Sequence, residues 1–305
     1  MFKNIRFLIG IDIGGSKINA ILTREGKIFH RVKSQTPKNR KEFLKKLYSA
    51  VDHLISATGK KNILGIGCGV AGTLDVDKGI ILKSPNISFL NGFDIKKWLE
   101  RKFSCEVKID NDARSFTRAE YLFGAGRGYK NIVGMTLGTG IGGGIIINGK
   151  MIYGINGSTG EVGHMILNSK FPACAEASAG RQIPNSKPED FESLAGIKGL
   201  RRLGFTNSLK TYQLAKSGDK KAKKAFEELG RHLGVGLANL INILDPEIIV
   251  IGGGLSGAYK FFLPIAKKTM AKFIFSPKSR NNVKIFIGKL DENAGAIGAA
   301  ALFIK

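Results

Sequence analysis

The sequence predicts an α/β protein built as two lobes that face each other. Three observations predict it. At 305 residues the chain is longer than one ordinary core and fits two, at roughly 150 residues per domain. Alternating apolar runs are interleaved with segments of helical spacing. One device, an apolar strand, a glycine turn and a second apolar strand, occurs at residues 7–23 (FLIGIDIGGSKINAILT) and again at 131–154.

In the first segment Ile18, Ala20 and Leu22 alternate with Lys17, Asn19 and Ile21, as a strand requires. A helix is expected from about Lys38 to Ala57, where Phe43, Leu44, Leu47, Val51 and Leu54 recur at helical spacing. Residues 62–75 (NILGIGCGVAGTLD) read as a glycine-broken strand, and 106–126 as a strand running directly into a helix. The device then repeats, with Asn148 and Gly149 marking a further hairpin. GAGRG at 124–128 is a helix C-cap, and 171–190 is irregular. Helices follow to about Leu244, then a buried strand and glycine turn (DPEIIVIGGGLSG, 245–257). The terminal NAGAIGAAALF is a small-residue helix that packs closely on something.

A hydrophobic share of 43% and a charged share of 24% exclude disorder throughout, because the chain has apolar surface to bury. Glycine, at 40 residues, exceeds ordinary usage without a collagen period, so it belongs where backbone turns sharply or approaches something closely. With 48 Lys+Arg against 24 Asp+Glu the net charge is +24. The basic residues are spread along the chain, and the densest runs, 38–46 and 216–224, read as solvated helix faces. A generally basic surface is therefore expected rather than a nucleic-acid-binding one. Cys68, Cys105 and Cys174 are odd in number and far apart, which points to a reducing compartment. Asp12, Lys17 and the glycines interrupt the first apolar run, and no later run reaches about 18 apolar residues. A soluble, cytoplasmic protein is expected.

The chemistry lies in the turns. Asp12 ends a strand, and Gly14 and Gly15 leave bare N–H groups beside Ser16 and Lys17. Such a turn is either a phosphate cradle or a plain hairpin. LGTGIGGG (137–144) contains G-x-G-x-x-G at Gly138, Gly140 and Gly143, but the strand-forming Ile145–Ile147 follows, whereas a dinucleotide fold needs a helix there. No P-loop pattern is present. Two glycine hairpins gripping a polyphosphate from two sides remain.

Asp112, in DNDA at a strand-to-helix junction, fits either an N-cap or a proton acceptor at a cleft mouth. Glu161 and His164 form one E-x-x-H, a weak metal signal that surface polarity explains equally well. Asn86 and Asn91 read as turn residues and Glu176 as a loop acid.

Taken in order, GIDIGGSK, IDNDA, LGTGIGGG, GSTGEVGHM and LANLINILDPEIIVIGGGLS resemble the ROK family of sugar kinases and repressors along essentially the whole chain. Ser16 stands where that family usually has Thr. The resemblance implies a two-lobed, actin-like (ribonuclease H-like) α/β fold with the active site in the interlobe cleft. The small lobe would take residues 1–112, with the helix at about 292–305 packing back on it, and the large lobe 113–291.

It implies transfer of the ATP γ-phosphoryl group to a hexose hydroxyl, with Mg2+, in a glucokinase-like enzyme. Asp112 would be the general base. Asp12 would orient the metal. Gly14, Gly15, Ser16, Lys17, Gly138, Thr139 and Gly140 would hold phosphates, and Gly252, Gly253 and Gly254 would approach the adenosine. Gly72, Asn86, Asn111, Glu161, His164 and Glu176 would bind the sugar with Asp112. A homodimer is implied, without membrane or nucleic acid as partner.

Many ROK members hold zinc through the His of GHM and three cysteines. Here His164 and Cys174 match and MILNSKFPA between them has no cysteine, so no zinc is expected. A non-catalytic sugar- or nucleotide-binding protein is the alternative. A sugar-responsive repressor is a weaker one, since only about ten residues precede the first turn, too few for a DNA-reading helix.

Overall fold

The computed structural model describes residues 6–168 and 189–304. The chain opens as an antiparallel meander of β1 (Phe7–Ile13), β2 (Lys17–Arg24) and β3 (Lys27–Gln35), followed by α1 (Arg40–Ser56). Next come β4 (Ile63–Val70), the short hairpin β5 (Thr73–Asp75) and β6 (Ile80–Lys83), α2 (Ile95–Phe103), β7 (Val107–Asn111) and α3 (Asp112–Phe123). The second half repeats the meander as β8 (Ile132–Leu137), β9 (Ile141–Ile147) and β10 (Lys150–Met151). Beyond it lie the paired β11 (Ile166–Asn168) and β12 (Glu189–Asp190), then α4 (Phe191–Ala195), α5 (Ile197–Arg202), α6 (Ser208–Lys216) and α7 (Lys220–Leu244). The chain closes with β13 (Ile248–Gly252), α8 (Tyr259–Phe273), α9 (Pro277–Asn282), β14 (Lys284–Ile287) and α10 (Ala294–Ala300).

Two five-stranded sheets result, in the orders β3-β2-β1-β4-β7 and β10-β9-β8-β13-β14. Each is antiparallel through its meander and parallel beyond it, so the repeated device has become a repeated sheet. The meander turns carry left-handed residues: Glu25 and Gly26 (φ 51° and 79°), and Asn148 and Gly149 (φ 51° and 76°). Positive φ at both central positions gives the hairpin turn that matches strand twist. β3 was absent from the sequence expectation; it is an edge strand whose side chains are mostly exposed, so its pattern carries charge instead of alternation.

One face of the first sheet packs Ile9, Ile11, Ile13 and Cys68 against Phe43, Leu47, Leu54 and Leu99 of α1 and α2. The second sheet packs Ile249 and Ile251 against Phe226, Leu233 and Leu237 of α7 and Phe262 of α8. Full burial of each such side chain contributes about 1.5–3 kcal/mol. The lysines of both basic runs point outward, as Lys45, Lys46, Lys223 and Lys224 show. Cys68 and Cys105 are free thiols, and Cys174 lies outside the described residues. No helix among the described residues is long and apolar enough to cross a membrane.

Helices α3 and α10 cross between the sheets. An added Cβ on Gly10 or Gly67 would lie 1.9 Å from the Ala296 carbonyl oxygen or 1.8 Å from that of Ala299. At Gly298 it would lie 1.6 Å from the Ser115 carbonyl oxygen. On the far side Gly134 and Gly144 admit Thr117 of α3. Much of the glycine excess therefore serves helix-on-sheet contact, and the small-residue helix finds its partner on β1, β4 and α3.

Candidate active site

A cavity of about 630 Å³ opens between the first sheet and the loop after β13. Its wall includes Asp12, Lys17 and Asp112 from one side and Gly252, Gly253 and Gly254 from the other. Asp12 is carried to the rim by the C-terminal end of β1, and Lys17 by the start of β2. Between them the turn closes through a Gly14 N–H bond to the Lys17 carbonyl, leaving Gly15 and Ser16 exposed. Asn86 packs on this turn, its Cβ 2.4 Å from where a Cβ of Gly15 would sit.

Gly138, Thr139 and Gly140 of the second turn do not line this cavity, whose wall the same β-hairpin reaches through Thr136. Gly138 donates to the Gly140 carbonyl, and Thr139 is exposed at the tip. The third turn presses on it: Gly253 (φ 86°) has no room for a Cβ beside the Leu137 carbonyl, which also accepts the Leu255 N–H.

Asn111, not Asp112, caps α3: its side-chain oxygen accepts from the Ala113 and Arg114 N–H groups. Asp112 becomes the first helical residue, with its carboxylate on the cavity wall. Burial raises its carboxyl above the usual carboxylate range, and the charge of Glu161 adds to this against a hydrogen bond from Ala113. Asn111 also donates to the Gly72 carbonyl at 3.1 Å, joining two residues expected on the sugar side. His164 is exposed, its Nδ1 3.4 Å from Asp190 Oδ2. Glu176 lies outside the described residues.

Several residues at the site carried no signal in the sequence reading. Glu292 on the cavity wall faces three cations: Lys33 at 2.6 Å, Arg31 at 3.1 Å and Lys17 at 3.6 Å. The hydrogen bond from Lys33 and the charges of Lys17 and Arg31 hold its carboxyl below the usual range. Glu192 supports the second turn by accepting the Ile141 N–H at 3.0 Å, while Ile197 donates to the Gly138 carbonyl. Only an acid before a small-residue helix marked Glu292, and nothing local marked Glu192.

Burial, with the charge of Asp112 added and that of Lys17 opposing, raises the Asp12 carboxyl to about 7. Among the described residues no three His, Cys, Asp or Glu side chains converge as a metal cage. A half-buried carboxylate whose charge burial and Asp112 disfavour, beside amide-rich turns, fits Mg2+, which is held by one or two carboxylates plus phosphate oxygens and water.

A sequence model of the ROK family matches residues 8–305. The glucokinase of Halalkalibacterium halodurans is 32% identical over 317 residues, covering 97% of this chain and 94% of its own. The xylose repressor of Caldicellulosiruptor bescii is 28% identical, covering 99% of this chain and 79% of its own. Among solved structures, a ROK family glucokinase from Streptomyces griseus in complex with glucose and AMPPNP superposes with a TM-score of 0.81 at 28% identity, covering 97% of this chain and 98% of that one. The repeated sheets, the crossing helices and the cleft between them are the two-lobed actin-like sugar kinase fold, and with the family match running from the first strand to the last residue, this chain belongs to the ROK family.

Proposed function

We propose that this protein is an ATP-dependent hexose kinase. It would transfer the γ-phosphoryl group to a hydroxyl of glucose or of a related hexose or N-acetylhexosamine, with the 6-hydroxyl as acceptor. The observation that carries the reading is the presence of Asp112, Asp12 and Lys17 on the wall of one interlobe cavity. Glucokinases among the relatives, one of them solved with glucose and AMPPNP, support it.

In the proposed reaction the Asp112 carboxylate takes the proton of the sugar hydroxyl. The alkoxide oxygen forms a bond to the γ-phosphorus, the bond to the β,γ-bridging oxygen breaks, and ADP leaves. Phosphoryl transfer needs mostly alignment and charge stabilisation, so one base and amide-lined turns suffice. Asp12 would hold Mg2+, which when bound neutralises charge on the phosphate oxygens. Asn111, Glu161 and His164, with Gly72 and Asn86, would bind the sugar. Gly14–Lys17 and Gly138–Gly140 would hold phosphates, and Gly252–Gly254 would approach the adenosine. The lobes are proposed to divide between residues 112 and 113, with the stretch from 292 returning to the small lobe. The first sheet ending at Asn111 and α10 lying on β1 and β4 support that division.

The test is ADP release with glucose, fructose, mannose, N-acetylglucosamine and N-acetylmannosamine. Phosphorylation of at least one is expected, and silence across the panel with ATP and Mg2+ defeats the proposal. Xylose repressors that match 99% of this chain favour a second reading, sugar binding without transfer. Saturable hexose binding with no ADP release selects it.

A further inference from the structure

Helix α3, which begins with Asp112, carries two charged side chains deep in the protein that the proposed reaction does not use. Arg114 is 3% exposed and Glu120 is fully buried. Burying a charge is costly unless it is well partnered. Glu120 is partnered by backbone next to the cavity wall, and Arg114 by backbone of the loop that precedes Glu161 and His164.

Arg114 Nε donates to Asp110 Oδ1 at 2.6 Å, and its Nη1 donates to the Gly157 carbonyl at 2.8 Å. Asp110, itself fully buried, sits two residues before Asp112 on β7 and also accepts from Arg118 Nη2 at 2.7 Å and Tyr153 Oη at 3.1 Å. The Arg114 guanidinium stacks over the Tyr153 ring at 5.1 Å. Tyr153 and Gly157 begin and anchor the loop that leads into Glu161 and His164. One guanidinium therefore spans from the strand–helix junction bearing Asp112 to the loop on the acceptor side.

Glu120, two turns further along α3, has no ion pair among the described residues. Its Oε1 accepts the Leu290 N–H at 2.9 Å, and its Oε2 accepts the N–H groups of Lys289 at 3.1 Å and Ala125 at 2.8 Å. Gly288 lies so close that an added Cβ would be 2.9 Å from Oε1. Ile287, Gly288, Asp291 and Glu292 all line the cavity, so this carboxylate fixes the turn that makes its donor-side wall. Three convergent N–H donors require an acceptor-only group, and an amide would set its own N–H against one of them.

We propose that Arg114 and Glu120 are positioning residues that register the two walls of the cleft on the helix carrying Asp112, Arg114 for the acceptor side and Glu120 for the donor side. The proposal rests on the kinase reading. Its signature is a split that a merely structural role does not produce, because each side chain reaches only one wall.

The experiment is steady-state kinetics on the full chain with ATP, Mg2+ and the hexose that the panel selects. Wild-type turnover comes first, and its absence defeats the kinase reading before any variant is made. Arg114→Met is expected to raise the hexose KM about tenfold or more while the ATP KM stays within about twofold. Glu120→Gln is expected to do the reverse. Melting curves and circular dichroism check the fold of each variant. Where a variant does not fold, Arg114→Lys or Glu120→Asp replaces it under the same criterion. Both KM values moving together, neither moving, or the conservative variants also failing to fold each overturns the proposal.

Discussion

Replacing Asp12 by Asn should stabilise the ligand-free protein while ending its proposed chemistry. The Asp12 carboxyl lies at about 7 in the folded protein against an ordinary value of 3.8. Between these pH values the folded protein keeps a proton that the unfolded chain has released. Stability therefore falls as pH rises through that window, and the full penalty is present above about pH 7. At about 1.4 kcal/mol per pH unit the gap corresponds to about 4 kcal/mol. Asp12 is only half-buried and faces the open cleft, so water relieves part of this and about 2 kcal/mol is expected at pH 8. With an unfolding entropy of about 2.1 cal/mol/K per residue, that is a rise of about 3 °C in Tm for a chain of this length. The assay is scanning calorimetry of both proteins from pH 4.5 to 8 without nucleotide or metal. Taking the difference cancels the groups that do not interact with Asp12, and the response of Asp112, whose charge acts on it, is part of the effect. The gain should be small at the acidic end and grow with pH. A difference that is flat across this range, or a variant less stable than wild type at pH 8, refutes the argument that burial and the charge of Asp112 disfavour the ionised Asp12.

Three further outcomes follow from the same geometry. Asp112→Asn should lower kcat by about 10²–10⁴ with hexose affinity changed only a few-fold, and the wild-type rate should climb as pH rises through a carboxyl raised by burial; unchanged turnover removes Asp112 from its role. Gly295→Ala places a Cβ 2.8 Å from the Asp12 Cγ and should cut kcat about tenfold while leaving the melting curve nearly unchanged; equal activity shows that the carboxylate has room to move. Gly10→Ala sets a Cβ 1.9 Å from the backbone oxygen of Ala296 and should cost about 3 kcal/mol, read as a drop in Tm; a neutral result means α10 does not lie on β1 as described.

The elements that alternate or repeat cleanly were legible in the sequence: β1 and β2, the strand–helix junction at Asn111–Asp112, the Asn148–Gly149 hairpin, and the close-packing terminal helix. Each expresses a local rule in a few consecutive residues. β3 was not legible, because an edge strand with solvent on most sides needs no apolar period. Glu292 was not either, since its cationic partners lie more than 250 residues away in β2 and β3. Arg114 and Glu120 run against local rules altogether. A charged residue on a helix normally marks the solvated face, and only the folded chain reveals carbonyl and N–H partners arriving from Gly157 and Leu290. The capping of α3 was half legible: DNDA announces a cap, and only the structure shows that Asn111 takes it and leaves Asp112 free for the cleft.

The first sheet is complete once residue 111 has been made, yet the helix that covers its inner side is residues 294–300. At translation speeds of about 5–20 residues per second, that side waits roughly 10–40 s on the ribosome for its lid. Gly10 and Gly67 lie directly under that helix, so the strip of β1 and β4 that waits is bare backbone, with Ile21 of β2 beside it. The glycines that let the last helix nest against β1 and β4 thus also leave that strip without apolar side chains until the helix arrives.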